Sequence, residues 1–414
     1  MKWQPVPLVY RSLVLAVVLC LLAGPGFGTT AAKRRKPRHA AIQRTLPARA
    51  VVMPAVATGR VSVRPAVASG TSRPAAARTP SSPAAAPPVV AGGPWTEPTF
   101  ADSTEGDNVD GEDLDIRRAA VEALGRYNGS ILTVDPDTGR ILSIVNQKLA
   151  FSSGFQPCST IKISVALAGL SEKVIQPADK FRLPGLGRMD LTYALAHSNN
   201  YYFATLGEKL GFEKLSFYAR LFGYGEKAGL SIAREQPGRF PSAAPRNGGV
   251  GMLSSFGEEI SQTPLQLAAL LSAVANGGTL YYLQYPRNPA EAQSLIPRVK
   301  RRLDIAELLP VIKPGMRGAV EFGTAHRARE DGPIAGKTGT CSENGAHLGW
   351  FGSFNDTGGR KLTIVVLLTG GRPAGGSLAA GIAGNMYRIL GEKNYFARPV
   401  TSANLISSQI CCAE

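Results

Sequence analysis

The chain has 414 residues and a formal net charge of +16, with 46 Lys and Arg against 30 Asp and Glu. That length is ample for one large core or two domains. The first 100 residues carry +12 of the charge and the other 314 only +4, so the basic balance does not mark the folded part as a nucleic-acid binder.

Taken in chain order, residues 1–28 read as a signal peptide or membrane anchor. Lys2 and Arg11 precede the apolar run LVLAVVLCLLA, which breaks at GPGFG. Eleven apolar residues suit an export signal better than a span, which needs about 20. If the segment is retained, residues 13–28 are the anchoring stretch. The basic cluster Lys33 to Arg38 disfavours a retained anchor with translocated flanks. Residues 29–115, rich in Ala, Pro, Val, Ser and Arg, read as a flexible basic linker, closed by the acidic patch DSTEGDNVDGEDLD. Export argues against a nucleic-acid partner for it.

The texture changes at Ile116. IRRAAVEALGRY has helical apolar spacing, and ILTV and RILSIV read as paired strands around DPDTG. A helix starts near Ser159 and carries ISVALAGL. LTYALAHSNNYYFATLGEKLG is a further helical stretch. In TPLQLAALLSAVANGG, Thr263 is the N-cap, Pro264 the first helical residue and Asn276-Gly277 the stop. GPIAGKTGTC, HLGWFGSFND and KLTIVVLLTG read as strands, and LAAGIAGNMYRIL as a closing helix. Strands at both ends with helices between predict one α+β domain over residues 116–396, an antiparallel sheet flanked by helices, followed by a tail at 397–414.

Three short motifs carry candidate chemistry. In Ser159-Thr160-Ile161-Lys162 the amine sits one helical turn from the hydroxyl. Burial and nearby positive charge can lower a lysine pKa until it serves as a base for a serine nucleophile. Ser198-Asn199-Asn200 is a weaker pattern, matched also by Ser342-Glu343-Asn344 and Ser402-Ala403-Asn404. Lys337-Thr338-Gly339-Thr340 ends a strand, where glycine admits close backbone approach and the lysine and hydroxyls suit a carboxylate.

In that order and in an exported chain, the three motifs resemble those of the penicillin-binding proteins and their relatives the serine β-lactamases. ILTVDPDTGRILSIV, AHSNNYYFATLGEKLG, ISQTPLQLAALLSAVANGG, MRGAVEFGTA and IAGKTGT look like penicillin-binding transpeptidase segments, covering roughly residues 120–395. The resemblance implies a β-lactamase/transpeptidase-like fold with a helical subdomain. It also implies D-alanyl-D-alanine stem peptides of peptidoglycan as substrate, β-lactams as inhibitors or substrates, and an extracytoplasmic location. Ser159 would form the acyl-enzyme, Lys162 take its proton, and Ser198 relay a proton to the leaving amine. Asn200 would hold the substrate amide and steady Lys162, and Lys337 keep the site positive. Thr338 and Thr340 would bind the terminal carboxylate beside Gly339, and the backbone N–H groups of Ser159 and Thr340 would form the oxyanion hole.

Cys158 departs from the family, many of whose members have glycine there. Cys158 flanks the nucleophile and Cys341 flanks the Lys-Thr-Gly motif. A group of class A carbapenem-hydrolysing β-lactamases has a disulfide at these two motif-relative positions. The resemblance therefore implies a Cys158–Cys341 bridge, which export permits. Cys411 and Cys412 have no assigned role.

Three activities stay open: D,D-transpeptidase or its carboxypeptidase variant, β-lactamase, and a non-catalytic β-lactam sensor. No E-x-x-L-N segment supplies the water-activating carboxylate of a class A β-lactamase. Glu235 lies in EQPGRFP, which better resembles the E-x-x-G-x-x-P segment of transpeptidases, while Glu258 and Glu259 depart from the usual form. A sensor calls for more hydrophobic segments than the one visible. The four histidines show no metal-ligand spacing. His197 and His347 read as packing residues, and no cofactor or metal is implied.

Overall fold

A computed structural model of the chain describes residues 97–330 and 332–397. The expected signal or anchor, the linker up to residue 96, Ser402-Ala403-Asn404, Cys411 and Cys412 lie outside the described residues. Among those described, no helix is long and apolar enough to cross a membrane.

In chain order the elements begin with α1 (Leu114–Leu124), β1 (Gly129–Val134), β2 (Ile141–Val145) and the short α2 (Gln147–Ala150). A tight helical turn, Cys158–Ile161, leads into α3 (Lys162–Ser171). Next come the hairpin β3 (Lys180–Leu183) and β4 (Gly187–Asp190), then α4 (Leu191–Ala196), α5 (Asn200–Leu210), α6 (Phe212–Leu221), α7 (Gly249–Phe256) and α8 (Pro264–Asn276). The strands β5 (Thr279–Tyr281) and β6 (Val299–Arg302) pair around α9 (Pro289–Gln293). The chain then forms α10 (Leu309–Glu321), β7 (Ile334–Glu343), β8 (Ala346–Asn355), β9 (Leu362–Gly370) and α11 (Gly376–Glu392).

One five-stranded antiparallel sheet, ordered β2-β1-β9-β8-β7, organises these elements. Its central strand, LTIVVLLTG, is buried throughout because both of its faces are covered. The alternation is still legible in three dimensions. Ile364, Val366 and Leu368 join the core formed with α1 and α11, whereas Val365 and Leu367 face α8 and the helical layer. Helix α3 is buried from Lys162 to Leu170 and forms the axis of that layer. The lone edge of the sheet next to it is β7.

Local chemistry explains the element ends. Asp113 caps α1 by accepting from Asp115 N and Ile116 N, and the helix stops at Gly125. Helix α8 opens on a Thr263/Gln266 capping box with Pro264 in its first turn, and closes on Gly277 in the left-handed region.

Two expectations are corrected here. The linker boundary at residue 115 falls inside packed structure. Thr99 and Ser103 are buried, and Ala101 N donates to Arg126 O (3.0 Å). Within the acidic patch Asp102, Glu105 and Asp110 are exposed, but two carboxylates are held. Asp107 accepts from Asn146 N (2.9 Å) and Gln147 N (2.8 Å) and pairs with Arg117 (2.8 Å). Glu112 accepts from Ile144 N (2.9 Å) and Ser143 Oγ (2.9 Å). Both carboxylates thus serve backbone donors of the edge strand β2 and of the turn after it. The stretch LTYALAHSNNYYFATLGEKLG is also two helices. It breaks where Ser198 takes φ +54°, and Asn199 starts α5 by accepting from Tyr202 N (2.9 Å).

Candidate active site

Three elements meet where β7 passes the N-terminal end of α3. The turn Cys158–Ile161 presents Ser159, the first turn of α3 presents Lys162, and the α4–α5 break presents Ser198 and Asn200. Lys162 Nζ lies 2.8 Å from Ser159 Oγ, 3.1 Å from Ser198 Oγ, 2.9 Å from Ser198 O and 2.6 Å from Asn200 Oδ1. A sharp left-handed turn at Ser198 is what lets residues 198 and 200 both face the amine.

Lys162 is fully buried, with the rings of Phe203 and Phe256 at 5.7 and 6.0 Å from its nitrogen. Burial, and then repulsion from Lys337, lowers its pKa to about 6. Lys337 is also fully buried, and burial lowers its pKa to about 7. Its Nζ donates to Thr338 O (2.9 Å). A neutral Lys162 offers a lone pair as well as two N–H donors, so one hydroxyl around it must donate to the amine. The arrangement can therefore remove a proton from Ser159 at neutral pH.

Strand alternation puts Lys337, Gly339 and Cys341 on one side of β7 and Thr338 and Thr340 on the other. A Cβ on Gly339 would stand 2.9 Å from Pro157 O and 3.3 Å from Cys158 Cβ, so glycine is required for β7 to lie against the nucleophile's segment. Cys158 and Cys341 are joined by a disulfide, with Cα atoms 5.6 Å apart. Cys158 has φ +51°, a region that favours glycine. Thr338 Oγ1 is 2.7 Å from Thr324 Oγ1, and Thr340 Oγ1 accepts from Gly376 N (2.8 Å). The Thr340 hydroxyl keeps its own proton to donate.

Of the competing Ser-x-Asn patterns, Ser342-Glu343-Asn344 sits at the β7–β8 turn, away from Lys162 Nζ's partners. His197 is exposed and tilted against the rings of Tyr193 (4.2 Å) and Phe322 (5.8 Å), and His347 is half-buried on β8. Glu235 is committed to its own loop, accepting from Ala228 N (2.8 Å) and Gly229 N (3.0 Å).

Several neighbours were not singled out from the sequence. Gln156 O accepts from Trp350 Nε1 (3.0 Å), Gln156 N donates to Glu343 Oε2 (2.7 Å), and its side chain donates to Glu258 Oε2 (3.1 Å). Gln156 thereby ties the approach to Ser159 to β7, β8 and the residues after α7. Phe203, five residues after Ser198, shares α5 with Asn200, which is the one signal that could have marked it.

The penicillin binding protein transpeptidase domain model matches residues 129–388. Stage V sporulation protein D of Bacillus subtilis is 31% identical over 292 residues, covering 62% of this chain and 44% of that protein. Peptidoglycan D,D-transpeptidase MrdA of Escherichia coli K12 is 26% identical over 257 residues, covering 53% and 40%. The chain thus spans less than half the length of these curated relatives. The crystal structure of Pseudomonas aeruginosa PBP2 in complex with WCK 5153 superposes with TM-score 0.59 at 23% identity, over 70% of this chain and 78% of that one, a likeness of fold. With the matched segment holding the sheet from β1 onward and all three motifs, the chain belongs to the penicillin-binding protein transpeptidase domain family.

Proposed function

We propose that this chain is an extracytoplasmic serine D,D-transpeptidase, or its carboxypeptidase variant, acting on D-alanyl-D-alanine stem peptides of peptidoglycan. The observation that carries the reading is the buried Lys162 amine, with a pKa lowered to about 6, within hydrogen-bond reach of both Ser159 Oγ and Ser198 Oγ. Lys162 takes the Ser159 proton as Oγ attacks the penultimate carbonyl. The backbone N–H groups of Ser159 and Thr340 receive the developing oxyanion. The proton then returns from Lys162 through Ser198 Oγ to the departing D-alanine amine, which leaves an acyl-enzyme. An acceptor amine resolves it in the transpeptidase, and water in the carboxypeptidase. Asn200 holds Lys162 and the substrate amide. Thr338 and Thr340 receive the terminal carboxylate, while Lys337 keeps the site positive. β-Lactams acylate the same serine, and the Cys158–Cys341 bridge braces the two strands of chain that frame it.

The reading is supported by the names of the relatives and by Glu235, whose carboxylate is occupied by backbone donors and is not free to activate a water. Acylation by a fluorescent penicillin, followed after removal of excess label, tests it. Stable labelling that disappears in Ser159→Ala is expected. Labelling that decays within seconds with hydrolysis of the drug would instead make the protein a β-lactamase, and no labelling of folded protein would remove the reading.

A further inference from the structure

Outside the cleft, a cavity of about 430 Å3 opens between the C-terminal end of α6, β6 and the segment around Arg239. Its wall carries three guanidiniums, Arg220, Arg239 and Arg301, and one carboxylate, Glu226. Tyr224 and Phe240, with rings 6.2 Å apart edge to face, supply an apolar side. Arg301 is fixed in place. It pairs with both oxygens of Glu226, Oε2 at 2.9 Å, and donates to Arg220 O at 3.3 Å. Arg220 and Arg239 form no ion pair with another described residue. The lining charges therefore leave a net +2 in a concave space whose volume is in the range of small-molecule sites.

We propose that this cavity is a binding site for a phosphate monoester, with the phosphate held by Arg220, Arg239 and Arg301 and its organic arm against Tyr224 and Phe240. Clustered guanidiniums repel one another, and a dianion relieves that repulsion. The planar fork of arginine matches phosphate oxygens two at a time. A phosphate monoester carries a charge of about −1.5 to −2 near pH 7, which complements the wall. The site is separate from Ser159 and does not depend on the acylation chemistry. Arg239 nonetheless lies close enough to act electrostatically on Glu343, the partner of Gln156 N.

Calorimetric titration of the full chain with inorganic phosphate and with glycerol 1-phosphate, at fixed ionic strength, tests the site. Saturable binding at one site per chain is expected. The double variant Arg220→Gln, Arg239→Gln should weaken it at least tenfold, whereas Arg298→Gln, in a different groove, should not. The basic N-terminal quarter is the same in every variant, so its diffuse attraction cancels. Tighter binding of glycerol 1-phosphate than of inorganic phosphate supports the aromatic side, and equal binding supports the phosphate contacts alone. Phosphatidic acid-containing phosphatidylcholine vesicles, which carry a phosphate monoester, would identify a lipid headgroup as the source if they displace glycerol 1-phosphate from the wild type. Failure to displace it would identify a soluble or polymer-borne phosphate. No saturable binding to folded protein, or equal weakening by Arg298→Gln, would overturn the proposal.

Discussion

At the residue scale, the proposed base is made by its surroundings. Burial is the larger cause of the Lys162 shift and Lys337 the second. Penicillin acylation should therefore rise with pH through about 6 as Lys162 loses its proton. Replacing Lys337 by Met keeps the bulk and removes the repulsion. Protonated Lys162 is then less disfavoured, its pKa rises, and the acid limb of the pH–rate profile should move to higher pH. A limb that stays put, or moves to lower pH, would separate Lys337 from the tuning of Lys162. The same shifts give a sign for stability. Between about 7 and the ordinary lysine range, the unfolded chain binds protons that the two native lysines do not, so their contribution becomes more favourable as pH rises. Ser159 and Lys162 were legible in the sequence because i and i+3 are neighbours on any helical turn. Phe203, Phe256 and Gln156 were not, because nothing local marks a ring or an amide that acts on a group far along the chain.

At the element scale, the site depends on how closely β7 lies against the turn that carries Ser159. Gly339→Ala sets a methyl 2.9 Å from Pro157 O, and a backbone carbonyl has no flexible end to give way. We expect a stability loss of about 1–3 kcal/mol in denaturant melts and at least a tenfold slower penicillin acylation. An unchanged acylation rate would show that the strand can stand off without harm. The disulfide acts at the same contact, closing a loop with a sequence separation of 183. Cys341→Ser should lower stability by about 2–4 kcal/mol, measured by thermal or denaturant unfolding against wild type with the bridge intact. Equal stability would make the bridge incidental to the packing. The paired strands β1 and β2, the capped α8 and the three C-terminal strands follow from period and punctuation. The break at Ser198 does not, since apolar helical spacing runs through both flanks and only tertiary packing selects the turn.

At the scale of the whole folded unit, residues 97–113 close the sheet at its β2 edge. Asp107 and Glu112 bring buried carboxylates to backbone donors and to Arg117. Removing one partner of such a set leaves the others unpaired, so Asp107→Ala should cost about 3 kcal/mol. Urea unfolding would measure it, and a change below about 0.5 kcal/mol would return this segment to the status of a linker.

Length, periodicity and motif spacing by themselves determined the α+β class, the principal strands and helices, and the order of the three candidate motifs. These are properties of neighbours along a helix or strand, which spacing encodes. The tertiary structure alone decided which carboxylates are already occupied, how Gln156 is held across 187 residues by Glu343, and that Asp107 and Glu112 of the acidic run are packed. Charge and composition look the same in a solvated tail and in a carboxylate held by backbone amides. Only the fold says which donors stand opposite.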